Sequence, residues 1–171
     1  MSTSLSAGLL ILRIAVGLTI VAHGSQKTFG WFGGAGLAKT MSGFQRQGLR
    51  PGWLWAALMA LGEVGGGLSL AFGFLTPLGA AGIVGAMVMA IFMVHWRNGF
   101  WNAQRGFEYP LHLFVAALTL GLTGPGAYSL DTLERIHLPT ALFLVLAAVA
   151  ILTVALGLRI SARSTAATQP A

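Results

Sequence analysis

Residues 6–24 read SAGLLILRIAVGLTIVAHG, an apolar run with one arginine, Arg13, inside it. A helix that spans a bilayer needs about 20 mostly apolar residues. This run is long enough, and it decides how the rest of the chain is read. The first segment lacks the basic start of a leader, and AHGSQ is a poor cleavage site, so it is expected to be a retained helix. Four further runs of the same kind follow: Trp53–Leu75, Pro77–Trp96, Tyr109–Thr123 and Leu138–Leu158, with the first taken as Leu5–Ala22. The fourth is the shortest. Only Thr76 and Pro77 separate the second and third, so these two form a tight antiparallel hairpin, with Pro77 opening a helix.

Composition agrees. Of the 171 residues, 56% are hydrophobic and only 8% charged, against about a quarter charged in a soluble domain. Mean hydropathy is +0.78. There is too little polar surface to cover a globule in water. The expected fold is all-α: a polytopic helix bundle with a four-helix core in residues 1–131. Residues 132–171 then supply a loop, a fifth C-terminal transmembrane helix and a short tail. The net charge of +6 does not point to nucleic acid, because the cations sit in a few loops. Lys27, Lys39, Arg46, Arg50, Arg97, Arg105, Arg159 and Arg163 fall on one side of a five-span chain. Arg135, beside Asp131 and Glu134, falls on the other. That bias places loops 24–52 and 97–108 and the tail in the cytoplasm of a bacterial inner-membrane protein, with the N-terminus outside. Trp31, Trp53, Trp55, Trp96 and Trp101 lie at span ends on the same side, as an interfacial belt. Leu37, Met41 and Phe44 share a face at helical spacing and predict a short interfacial helix.

A charge at the bilayer centre costs about 2.5–3.5 kcal/mol on insertion scales, so it normally faces the bundle and pairs. Glu63 is the one acid at comparable depth, which predicts a buried Arg13–Glu63 ion pair. The pair reads either as a register pin or as a proton or ligand site. If the two pair, removing both costs less than the sum of the single losses. At the cytoplasmic end, His23 and Lys27 are spaced i, i+4, as are Glu108 and His112, and Thr119 follows on much the same face. With His95 they form a candidate polar pocket of His23, Lys27, His95, Glu108 and His112. Such a set can hold an anionic or quinone-like headgroup or relay protons, or it can simply meet water and lipid phosphate. Residue type also admits a bis-His haem or a zinc site from His23, His95 and His112, but no spacing supports either. No cofactor or metal is assigned. With no cysteine, disulfides and thiol relays are excluded. GGAGLAKT at 33–40 nearly matches a phosphate-binding loop. However, Ala38 replaces its last glycine and no strand precedes it. Gly82/Ala86 and Ala81/Gly85 permit close helix packing, within the chain or in a homodimer.

Two stretches resemble the DoxX family of integral membrane proteins. One is LRIAVGLTIVAHGSQKTFG followed by GEVGGGLSLAFGFLTPLGA. The other is NGFWNAQRGFEYPLHLFVAALTLGLTGPGAYSLD, whose closing GPG-x-[YF]-SLD is the most specific piece. The resemblance covers about residues 5–131 and includes Arg13, Gly24, Lys27, Glu63, Gly106, Glu108, Gly124, Gly126, Ser129 and Asp131. It implies a four-helix membrane core and says nothing of the fifth span. The family name derives from a thiosulfate:quinone oxidoreductase subunit, DoxD, and some members are linked to redox-stress complexes. What it implies is the membrane subunit of a quinone-linked redox system, lacking its own redox centre and fed by a soluble or membrane partner protein. Distant similarity to a cargo receptor of the eukaryotic secretory pathway implies the alternative. That alternative is a non-enzymatic carrier, receptor or assembly factor for a small molecule, lipid or partner protein. Related membrane proteins that work with thiols give no precedent for a chain without cysteine.

Overall fold

The computed structural model describes residues 2–166, the side chains of the last three excepted. The chain folds into helices α1 (Thr3–Thr28), α2 (Gly36–Arg46), α3 (Gly52–Phe72), α4 (Thr76–Asn98), α5 (Glu108–Thr123), α6 (Leu130–Leu133) and α7 (Thr140–Ala166). No strand occurs among the described residues. The all-α bundle expected from hydropathy is therefore what the chain forms. Helices α1, α3, α4 and α7 are long and apolar enough to cross a membrane. Their outward faces carry large apolar side chains, with Ile11 and Leu61 each 70% exposed. Exposed apolar surface on that scale suits lipid as the solvent.

The fourth expected span, α5, has 16 residues and thus rises about 24 Å, short of a hydrocarbon core of about 30 Å. It nevertheless runs the bundle from end to end. It starts beside the loop that follows α4, and its far end leads to Gly126, against Leu9 of α1. Helix α7 returns to the first end, where Ser161 donates to the carbonyl of Gln47. One end of the bundle thus gathers the loops with most of the lysines and arginines. We call it the basic end, and the other the hairpin end, after the α3–α4 turn.

Glycine sets the closest helix contacts. A Cβ on Gly17 would lie 2.6 Å from the carbonyl oxygen of Gly67, and one on Gly24 would lie 2.7 Å from a Val64 methyl. Gly17 and Gly24 are seven apart and so share a face of α1, which brings its backbone onto α3. Helix α4 lies at the centre, against α3, α5 and α7. Within the Gly82/Ala86 and Ala81/Gly85 stripe, Gly82 meets Gly62 and Gly85 meets Ala150 of α7. The core is Ile20, Leu70, Ile83, Val84, Leu120 and Phe143. Trp31, Trp53, Trp96 and Trp101 are exposed at the basic end, as an interfacial belt requires. Trp55 departs from the expectation: it is buried, with its ring against Gly157.

Both α3 and α4 contain a wide, π-helical turn, over Leu61–Gly65 and Ile91–His95 respectively. Such turns are uncommon and often border functional sites.

Candidate functional site

Arg13 and Glu63 do not meet. In the antiparallel α1–α3 pair, Gly17 faces Gly67 and Ala71, while Gly24 faces Glu63 and Val64. That register puts Arg13 opposite the α3–α4 turn, about 15 Å along the axis from Glu63 at 1.5 Å per residue. The expected Arg13–Glu63 pair is corrected accordingly. Hydropathy locates the middle of each span but not the offset between them. Here α1 overhangs the hairpin, so its mid-span residue meets the end of its neighbour.

Arg13 is buried (3% exposed), and its fork bridges two carbonyls. One terminal nitrogen donates to Ala71 at 2.8 Å, and the other donates to Tyr128. The acid whose field reaches it is Asp131. Asp131 itself ties the hairpin. Its Oδ1 accepts from the backbone N–H of Leu75 at 2.7 Å. Its Oδ2 accepts from the N–H of Thr76 at 3.1 Å and from the Thr76 hydroxyl at 2.7 Å. Helix α4 has no cap from its own residues, so Asp131 caps it from 55 residues away. The backbone N–H of Asp131 donates to Gly73, whose φ of +63° suits glycine. Ser129, buried and bonded to Gly126, packs against the same glycine. The closing GPGAYSLD motif is thus a clamp on the hairpin.

Glu63 is paired instead with Lys27, Nζ to Oε1 at 2.5 Å. This is the one ion pair among the described residues. The Glu63 side chain is 2% exposed and the Lys27 side chain 39%. The second carboxylate oxygen, Oε2, is buried with no hydrogen-bond partner. An acceptor left in that state is costly unless something arrives to satisfy it. Both residues border a cavity of about 630 Å³ between α2, α3, α4 and α7. Its floor is small and apolar, including Ala81, Ala86 and Ala90. Met59, Met89 and Met93 add flexible thioethers to its lining. Along α4 it runs from Leu78 to His95, about 25 Å at helical rise. Its lip includes Leu61 and Val149, the latter 54% exposed, so it opens sideways between α3 and α7. Both wide turns border it. The shape suits an amphiphile: a long apolar slot with a charged pair at its side.

Of the five residues expected to share a pocket, Lys27 and His95 line this cavity. His95 is held through Nδ1 by the Arg105 carbonyl at 2.6 Å. The other three lie elsewhere. His23 Nε2 sits 3.1 Å from the Tyr109 hydroxyl. Glu108 accepts from the backbone N–H of Asn102 at 2.8 Å and so caps the short turn Asn102–Gln104. His112 bonds through Nδ1 to the carbonyl of Glu108 and is exposed. Thr119 spends its hydroxyl on the Val115 carbonyl. Similar depth in the membrane groups them, but His23 meets Tyr109, Glu108 and His112 bond locally, and none of the three lines the groove. Among the described residues, no three of His, Cys, Asp and Glu approach closely enough to hold a metal ion. Sequence reasoning had also missed Asp131 as a remote cap, and the α7 wall of Ala150 and Val154. The SLD motif was the signal for the cap. No local pattern marked the wall, because α7 had entered the reading only as a hydrophobic run.

Known proteins give the same family as the quoted motifs. The DoxX profile matches residues 8–96, a little over half the chain. The inner membrane protein YqjF of Escherichia coli (strain K12) is 33% identical over 128 residues, 74% of this chain and 91% of that protein. The chain belongs to the DoxX family. The DoxX profile ends at Trp96, so it contains Arg13, Lys27, Glu63 and His95 but not the clamp around Asp131. No solved structure matches.

Proposed function

We propose that this DoxX protein resides in the bacterial inner membrane and binds a lipid-soluble quinone in the groove between α3, α4 and α7. In this reading it serves as the membrane subunit of a redox system. The basic end faces the cytoplasm, with loops 24–52 and 97–108 and the C-terminal tail, and the N-terminus faces outward. Electrons come from a partner protein or soluble donor.

The observation that carries this reading is the groove itself, in which a slot of about 630 Å³ has a buried, half-satisfied carboxylate and a lysine on its wall. An isoprenoid tail fits the apolar floor. Lys27 can donate to a ring oxygen, and Glu63 and His95 can exchange protons near it. The inner-membrane name of the E. coli relative supports the location.

The test is the mass of what co-purifies in mild detergent. A prenyl quinone or its quinol, lost in an Ala90→Phe variant that fills the groove floor, is the expected result. The sideways lip favours a second reading, a carrier that takes its ligand from the bilayer. A phospholipid or metabolite in place of quinone would establish that reading. A bare protein would sink both.

A further inference from the structure

The geometry points to a groove that favours amphiphiles whose headgroup donates a hydrogen bond, so that of a quinone and its quinol it holds the quinol more tightly. This rests on the groove being the binding site and adds which chemical form it prefers.

The argument starts from the two carboxylate oxygens of Glu63. Oε1 is committed to Lys27 at 2.5 Å. Glu63 lines the groove, and its Oε2 is buried with no donor. A carboxylate beside an ammonium accepts hydrogen bonds and cannot give one. Whatever headgroup lies against Oε2 must therefore bring its own O–H or N–H. A phenolic hydroxyl can donate to Oε2 while its oxygen accepts from Lys27, whose ammonium has donors to spare. A quinone carbonyl can use Lys27 alone, and its oxygen would face the lone pairs of Oε2. The site thus holds both forms through Lys27 but holds the quinol more tightly. Nearby groups do not remove the vacancy: the Thr40 hydroxyl is spent on the Lys27 carbonyl at 2.9 Å, and His95 is held by Arg105 through Nδ1. A hydrogen bond to a charged group contributes roughly a tenfold or greater difference in affinity between matched ligands.

A redox-inert pair of probes isolates this effect. 4-Decylphenol and 4-decylanisole share ring and tail and differ in the single donor. Binding of each to the full chain in lipid nanodiscs is measured by equilibrium dialysis. The phenol is expected to bind at least ten times more tightly than the ether. In Glu63→Gln, whose amide both gives and accepts, the ratio is expected to fall toward one. The wild-type comparison stands even if that variant fails to fold. Equal binding of phenol and ether, abolished by Ala90→Phe, would overturn donor selection and leave the groove as the binding site. Binding of neither probe, or binding untouched by Ala90→Phe, would remove the groove reading and this inference with it.

Discussion

Arg13 and Lys27 stand on the same helix, about 21 Å apart along its axis at helical rise. Each reaches α3 or the turn that ends it, and each has an acid in play. Arg13 is buried and spends its fork on two carbonyls, and its acid spends both oxygens on the first turn of α4. Lys27 is partly exposed, and its acid keeps one buried oxygen without a donor. The first centre leaves Arg13 Nε without a partner but lies away from the groove, and it holds three chain segments in place. The second is left open on the wall of a groove. The difference between the two centres is that one borders a groove and the other ties chain segments together.

Variants at the first centre carry the largest expected effects. Arg13→Ala orphans the carbonyls of Ala71 and Tyr128 and removes the cation nearest Asp131. Thermal unfolding in detergent should show a loss of about 3–5 kcal/mol. Arg13→Lys should rescue little, because an ammonium on a flexible stem does not reproduce the planar fork. Next comes the helix contact between the two centres. Gly17→Ala drives a methyl into backbone atoms of Gly67 and Ala71, and should cost about 1–3 kcal/mol. Gly24→Ala meets first a Val64 methyl, which can shift, where Gly17→Ala meets backbone first, and should cost less. If the two glycines prove equal, the contact at the Glu63 level is as rigid as that near Arg13, and the contrast weakens. At the open centre, Glu63→Gln should change stability by less than about 1 kcal/mol, since it removes a buried charge along with its partner's attraction. A loss as large as that of Arg13→Ala would make the groove pair architectural too. The smallest expected effect is a coupling. Arg13→Ala combined with Glu63→Gln should be additive within about 0.5 kcal/mol, because the residues are too far apart to interact. Partial rescue in the double variant would restore the direct pair that the α1–α3 register denies.

The long elements were legible because hydrophobic runs report spans directly, and the α3–α4 hairpin followed from two residues, Thr76 and Pro77. The polar centres were legible only as residue types. Arg13 and Glu63 stood out by chemistry, but their partners depend on the sliding offset of α1 against α3. That offset is set by where Gly17 and Gly24 allow backbone contact, and their seven-residue spacing marked the face without fixing which α3 residues would meet it. The grouping of His23, Glu108 and His112 with Lys27 failed for a related reason. Shared depth says nothing of direction around the bundle, and hydrogen bonds local to α5 and the loop before it claim Glu108 and His112. Asp131 was visible in a motif, but its role as a cap for α4 needs the chain to return across 55 residues.

The groove's lip between Leu61 and Val149 opens along the flank of the bundle. An occupant of the proposed site would therefore arrive by diffusion in two dimensions without crossing water. Saturation then depends on the ligand's mole fraction in the lipid. Diluting the aqueous phase leaves occupancy unchanged, whereas adding empty lipid strips the site.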